Sequence, residues 1–176
     1  MSNDILHAAT QLVHAGRPQQ GRRGPVNPPV VRASTMLFAN TDELASAQGK
    51  HSYGRHGTDT TEALEQALCA AEGAAACLLA PSGLAAITTT LLALLAPGDH
   101  LLMVDSVYGP ARIFCDGTLK RLGIETSYYD PLLGADIAGL IRPNTRVVYV
   151  ESPGSLSFEV QDVPAIAAAA HATGAV

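Results

Sequence analysis

Cys77-Leu78-Leu79-Ala80-Pro81-Ser82-Gly83-Leu84-Ala85-Ala86-Ile87 is the stretch from which the fold is read. A short apolar run meets Pro81, Ser82 and Gly83, and apolar residues then keep helical spacing to Ala96, where Pro97-Gly98 stops them. This order predicts a strand or extended entry over 77–80, a tight turn and a buried helix over 83–96. At such a helix start four backbone N–H groups lack intrahelical partners, and the positive end of the helix dipole adds to them. Gly83 carries no side chain to hold a ligand away. The turn reads two ways: Ser82 is a plain N-cap, or the open amides beside it form a seat for phosphate.

Downstream the alternation repeats. Segments 100–105, 124–129 and 146–151 are short, bounded and aliphatic or aromatic, with helical patterns at 110–122 and 135–141 between them. Alternating strands and helices predict an α/β domain with a mostly parallel sheet covered on both faces, and ligands in such sheets sit beyond the carboxyl ends of the strands. Ser106-Val107-Tyr108-Gly109 follows one of those ends, so Tyr108 is expected near the 82–83 turn, either as an aromatic cover for a ligand or as rim packing. Asp162 can cap a helix over 163–172, and Ala175-Val176 reads as the opening of a further strand. A crossover helix without its following strand leaves the unit unfinished, so the chain is expected to be a fragment or a truncated reading frame.

Upstream the character changes. A short helix is expected over 4–14, ending at Gly16, followed by an extended arm over 17–31 with four prolines and three arginines. Val26-Asn27-Pro28-Pro29-Val30-Val31 is apolar enough to lie on a surface, which favours an arm that crosses onto a partner subunit. Asp42-Glu43-Leu44 opens one or two helical turns. Lys50 to Thr58 is a polar loop in which an extended backbone would point Tyr53 and Arg55 the same way. The two could then hold one oxyanion jointly, or be solvated loop residues. Thr60 or Thr61 is expected to cap a helix over 62–72, with Leu64, Ala67, Leu68 and Ala71 on its buried side.

Composition narrows the classes. A chain of 176 residues can make one domain, burying about 70% of its unfolded surface. Hydrophobic residues reach 47% and charged residues only 15%, against about 25% charged in a typical soluble domain. So little charge points to subunit contacts or a missing part of the fold. A net charge of −5 without a basic block argues against nucleic acid. No apolar run reaches the roughly 18 residues of a membrane span. The three cysteines, Cys69, Cys77 and Cys115, are scattered without metal spacing, and the start lacks a signal-peptide pattern. A reduced cytoplasmic protein with no metal site is the expectation.

Several motifs, in order, resemble the Cys/Met-metabolism family of pyridoxal-phosphate enzymes. They run from Leu12-Val13-His14-Ala15-Gly16-Arg17 through Val26 to Thr35, Tyr53-Gly54-Arg55-His56-Gly57-Thr58, Phe114-Cys115 and Asp130 to Ile137, and end at Glu151-Ser152-Pro153-Gly154-Ser155. Within the family the match is closest to the cystathionine β-lyase branch. The resemblance implies the aminotransferase-like fold type I, incomplete here, with 1–58 as arm and inter-subunit segment and 59–176 as the first part of the cofactor domain. It implies pyridoxal 5'-phosphate as cofactor, with Ser82, Gly83 and Leu84 as the phosphate cradle, Leu84 standing where the family commonly has methionine. It also implies that Tyr108 stacks on the pyridine ring and transfers a proton. Tyr53 and Arg55 match the pair that reaches the cofactor phosphate of a neighbouring subunit, in a homo-oligomer that in this family is usually a tetramer.

What the resemblance implies for activity is carbon–sulfur β-elimination from cystathionine or a related sulfur amino acid, giving homocysteine, pyruvate and ammonia in methionine biosynthesis. The alternatives are a sister activity, such as cystathionine γ-lyase, γ-synthase or methionine γ-lyase, or a non-catalytic fragment. The chain has two lysines, Lys50 and Lys120, and neither lies in the sequence context in which the family holds its cofactor covalently. The span alone is therefore expected to be inactive.

Overall fold

The computed structural model describes residues 8–17, 24–46 and 51–176, in two compact units, Met1–Leu79 and Ala80–Val176. The expected helical start at 4–7, the arm residues 18–23 and Lys50 lie outside the described residues.

The first unit contains α1 (Ala8–His14), α2 (Thr41–Ser46) and α3 (Asp59–Glu72). Thr58, not Thr60 or Thr61, is the N-cap of α3: its hydroxyl accepts the Thr61 N–H while the Thr61 hydroxyl takes the Thr58 N–H. This reciprocal capping starts the helix a turn earlier than expected and leaves Thr60 for the arm. The Thr60 hydroxyl donates to the Pro29 carbonyl at 2.7 Å and accepts the Val31 N–H at 2.8 Å. The expected buried side of α3 is not buried. Leu64 is 49% and Leu68 39% exposed, because no apolar layer of this unit covers them. Among the described residues of the unit, none of the hydrophobic side chains is buried.

The second unit is built on three parallel strands, β1 (His100–Val104), β2 (Glu125–Tyr129) and β3 (Thr145–Tyr149), in the order β2-β1-β3. All five residues of β1 are buried, as a central parallel strand covered on both faces requires. Helix α4 (Gly83–Leu94) precedes β1. Helix α5 (Gly109–Phe114), prolonged by a π turn over Cys115–Leu119, joins β1 to β2. A 3-10 segment, Gly134–Leu140, joins β2 to β3, and α6 (Val163–Ala172) follows. The two crossovers run in opposite directions across the sheet, so right-handed connections put them on opposite faces. Helix α4 packs with α5, and α6 packs with the 3-10 segment. The core is Leu91, Leu101, Met103, Val104, Leu119, Tyr129, Ile137 and Ile166 with their neighbours.

Segment 77–80 forms no strand. Leu78 is 92% exposed, and no strand of the described residues pairs with it. The expected strand at the chain end does begin: the Val176 N–H donates to the Arg146 carbonyl at 3.1 Å and its carbonyl accepts the Val148 N–H at 2.8 Å, the spacing of a parallel ladder on the free edge of β3.

Candidate active site at the carboxyl edge of the sheet

Helix α4 ends at Leu94 and the turn at 97–99 leads directly into β1. It therefore runs antiparallel to the strands, and its N-terminus lies at their carboxyl edge. Helix α5 leaves β1 at that edge. Ser82 and Tyr108, the N-caps of these two mutually packed helices, are thus at one edge of the sheet.

The Ser82 hydroxyl oxygen accepts the Ala85 N–H at 3.1 Å, and the Ser82 carbonyl takes the Ala86 N–H. Among the described residues no protein acceptor takes the amides of Gly83 and Leu84, the first two of the helix. Both readings of the turn therefore coexist: Ser82 is a cap, and two amides with the hydroxyl proton remain available. A Cβ built on Gly83 meets nothing within 4 Å, so the approach to those amides is open. This donor set fits a phosphate.

Tyr108 is 44% exposed, and its backbone N–H donates to Glu151 Oε2 at 3.1 Å. Glu151 follows β3 and sits on a layer of buried polar contacts. Gln161 Nε2 donates to the Glu151 carbonyl at 2.7 Å, and the Tyr129 hydroxyl donates to Gln161 Oε1 at 2.9 Å. Burial pushes the Tyr129 phenol above its ordinary range, which keeps it a donor. Burial, then the Glu151 carboxylate, raise Tyr149 as well. Beside this layer Arg112 pairs with Asp105 and stacks 3.7 Å from the centroid of the Tyr128 ring, whose hydroxyl donates to Asp116 at 2.7 Å.

Sequence reasoning did not single out Tyr129, Gln161 or a site role for Glu151. The signal for Glu151 was present, since it ends the third expected strand at the edge where ligands bind. Gln161 had none: a lone glutamine before a helix cap carries no pattern.

Tyr53 and Arg55 belong to the first unit. Tyr53 forms an isolated antiparallel bridge with Thr35, and the chain then turns, with the His56 N–H donating to the Tyr53 carbonyl at 2.8 Å. The expected extended backbone over 53–55 is therefore absent, and the shared strand face with it. The turn follows from close packing: a Cβ at Gly54 would collide with the Ala33 carbonyl. Tyr53 meets the His56 ring edge-on at 5.4 Å and lines an open, mainly apolar cleft with Met36, Leu37, Phe38 and Leu44, while Arg55 is exposed.

Comparison with known proteins adds relationship to this geometry. The cystathionine beta-lyase MetC of Escherichia coli (strain K12) is 46% identical over 165 residues, covering 91% of this chain and 42% of that protein. The cystathionine beta-lyase of Salmonella typhimurium is 45% identical over the same shares of chain and relative. The crystal structure of cystathionine gamma-lyase from Lactobacillus plantarum, complexed with L-serine, superimposes with a TM-score of 0.86 at 28% identity, covering 97% of this chain and 43% of that one. The chain thus spans 42% of the length of the two curated lyases, and its parallel sheet with helices on both faces is part of a fold type I domain. The model of the Cys/Met metabolism PLP-dependent enzymes matches residues 9–176, and the chain belongs to that pyridoxal-phosphate-dependent family.

Proposed function

We propose that this chain is the part of a cystathionine β-lyase that supplies the phosphate cradle and the ring cover. The whole enzyme then converts cystathionine and one water to homocysteine, pyruvate and ammonia. The observation that carries the β-lyase reading is the 45–46% identity to two cystathionine beta-lyases over 91% of the chain. When bound, pyridoxal phosphate supplies an electron sink for the charge left by Cα deprotonation while the Cβ–S bond breaks.

The chain's own residues do the rest. The amides of Gly83 and Leu84 and the hydroxyl of Ser82 bind the phosphate, aided by the positive end of α4. Tyr108 covers the ring and carries a proton between substrate and leaving group. Tyr53 and Arg55 reach the phosphate in a neighbouring subunit, so the site is complete only in a homo-oligomer. Neither Lys50 nor Lys120 anchors the cofactor, so this span by itself turns nothing over.

Product identity tests the reading. The whole product of the gene, loaded with pyridoxal phosphate and given cystathionine, is expected to release pyruvate. Release of 2-oxobutyrate instead establishes the sister γ-elimination, which the likeness to a cystathionine gamma-lyase structure favours as second reading. For the 176-residue span, borohydride reduction with pyridoxal phosphate is expected to leave both lysines unmodified, and a stoichiometric adduct at either one overturns that part.

A further inference from the structure

Gln161 is a buried polar side chain at the carboxyl edge to which neither the α4 cap nor the ring cover gives a task. It is 6% exposed, and both ends of its amide are used. Nε2 donates to the Glu151 carbonyl at 2.7 Å, and Oε1 accepts from the Tyr129 hydroxyl at 2.9 Å. The Gln161 backbone N–H also donates to Ser152 Oγ at 3.0 Å. A carbonyl only accepts, so the amide can take one orientation alone.

Tyr129, 2% exposed at the end of β2, also reaches the Tyr149 carbonyl at 3.2 Å, so its hydroxyl bridges the ends of β2 and β3 behind Gln161. The chain of contacts continues to the surface. Glu151, with its carbonyl fixed by Gln161, presents Oε2 to the backbone N–H of Tyr108 at 3.1 Å. Tyr108 stands at the start of a six-residue helix and makes no side-chain cap bond, so its backbone is placed by Glu151 and by the first turn, where its carbonyl accepts the Ala111 N–H at 2.9 Å.

We infer that Gln161, backed by Tyr129, is a positioning residue for Tyr108 and acts on it through Glu151. The inference rests on the proposed role of Tyr108 at the cofactor. A glutamine that merely filled the core would change stability without regard to what stands at position 108. One that sets Tyr108 changes turnover only while the phenol is there to be set.

The test uses the whole gene product loaded with pyridoxal phosphate, as wild type, Gln161→Leu, Tyr108→Phe and the double variant. Gln161→Leu is expected to lower kcat about tenfold, with KM changed less than about twofold. In the Tyr108→Phe background the same change is expected to lower kcat by less than about twofold, since the two act as one unit. Gln161→His retains one donor and one acceptor and is expected to stay within about threefold of wild type. If Gln161→Leu does not fold, Tyr129→Phe breaks the same relay one bond further back and carries the same expectation.

An equal loss of kcat in both backgrounds overturns the inference. So does a fall in melting temperature with kcat unchanged. A readout independent of turnover is the visible circular dichroism of the bound cofactor, expected to change in Gln161→Leu and not in Gln161→His. If the wild type releases no pyruvate, the proposed function fails and the dichroism alone decides the relay: an unchanged band in Gln161→Leu overturns it.

Discussion

Acidification from pH 7.5 to 5.5 should weaken the protein through one residue at the amino edge of the sheet. His100 opens β1, is fully buried, and has Nδ1 2.8 Å from the Thr145 hydroxyl. That hydroxyl oxygen also accepts the Arg142 N–H at 2.7 Å, and His100 Nε2 has no partner among the described residues. Burial first, then the positive charge of Arg142, lower the pKa of His100, with Glu125 opposing weakly. The unfolded chain then takes up a proton that the folded one refuses. Stability is complete above the unfolded value of about 6.5 and falls as the pH drops from there toward the folded value. With no native protonation, the loss reaches at most ~1.4 kcal/mol at pH 5.5. Glu125, whose pKa Arg142 lowers by a hydrogen bond and by its charge, loses its contribution only below the ordinary carboxylate range, so the windows are separate. The measurement is urea unfolding of wild type and His100→Leu at both pH values, in which the other histidines cancel. The difference between the two proteins should shift in favour of the variant at pH 5.5, by no more than that ceiling. A difference that stays constant, or that moves in favour of the wild type, would refute the argument.

Three further outcomes are expected. Ser82→Ala removes the acceptor of the Ala85 N–H and should cost about 1 kcal/mol in urea unfolding. Leu156 is 92% exposed and holds φ at +67°, so Leu156→Gly should leave the melting temperature unchanged or raise it, since a side chain in the left-handed region costs roughly 1–2 kcal/mol. Cys115 is 1% exposed, and burial and Asp116 push its thiol up to about 11. At pH 8 only about 0.1% is thiolate, so a thiol reagent should label Cys115 only after unfolding.

The helix at 83, the three strands and the order of the elements were legible because each depends on local signals: apolar runs bounded by glycine, proline and asparagine. The strand expected at 77–80 carried the same signal and failed, since backbone pairing needs a neighbour that no local pattern guarantees. Thr58 won the cap from Thr60 and Thr61 because reciprocal hydroxyl–amide bonding is a two-residue event, and Thr60 was claimed by a carbonyl 31 residues away. At the site, Ser82 and Gly83 could be read from the turn and Tyr108 from its strand end. The contacts beneath Tyr108 join residues 43 and 32 positions apart, Tyr108 to Glu151 and Tyr129 to Gln161, and only the folded sheet brings them together.

The two edges of the sheet are built to opposite ends, and the polarity of parallel strands is the reason. At the amino edge most side chains find partners, His100 Nε2 excepted: His100 Nδ1 meets Thr145, Arg142 bonds Glu125 at 2.7 Å and Ser127 at 2.9 Å, and Asn144 bonds the Gly98 carbonyl at 3.0 Å. At the carboxyl edge the amides of Gly83 and Leu84 are left open and Tyr108 is 44% exposed, while Tyr129, Gln161 and Glu151 underneath are bonded to one another. Every helix start leaves such donors open, and water meets them at little cost, so the phosphate proposed for the amides of Gly83 and Leu84 would take up bonds that folding does not need. Substitutions at the amino edge should accordingly move stability and leave cofactor affinity alone. Changes at Gly83 that fill the approach to its amides should do the reverse, and that separation follows from the strand direction before any substrate is considered.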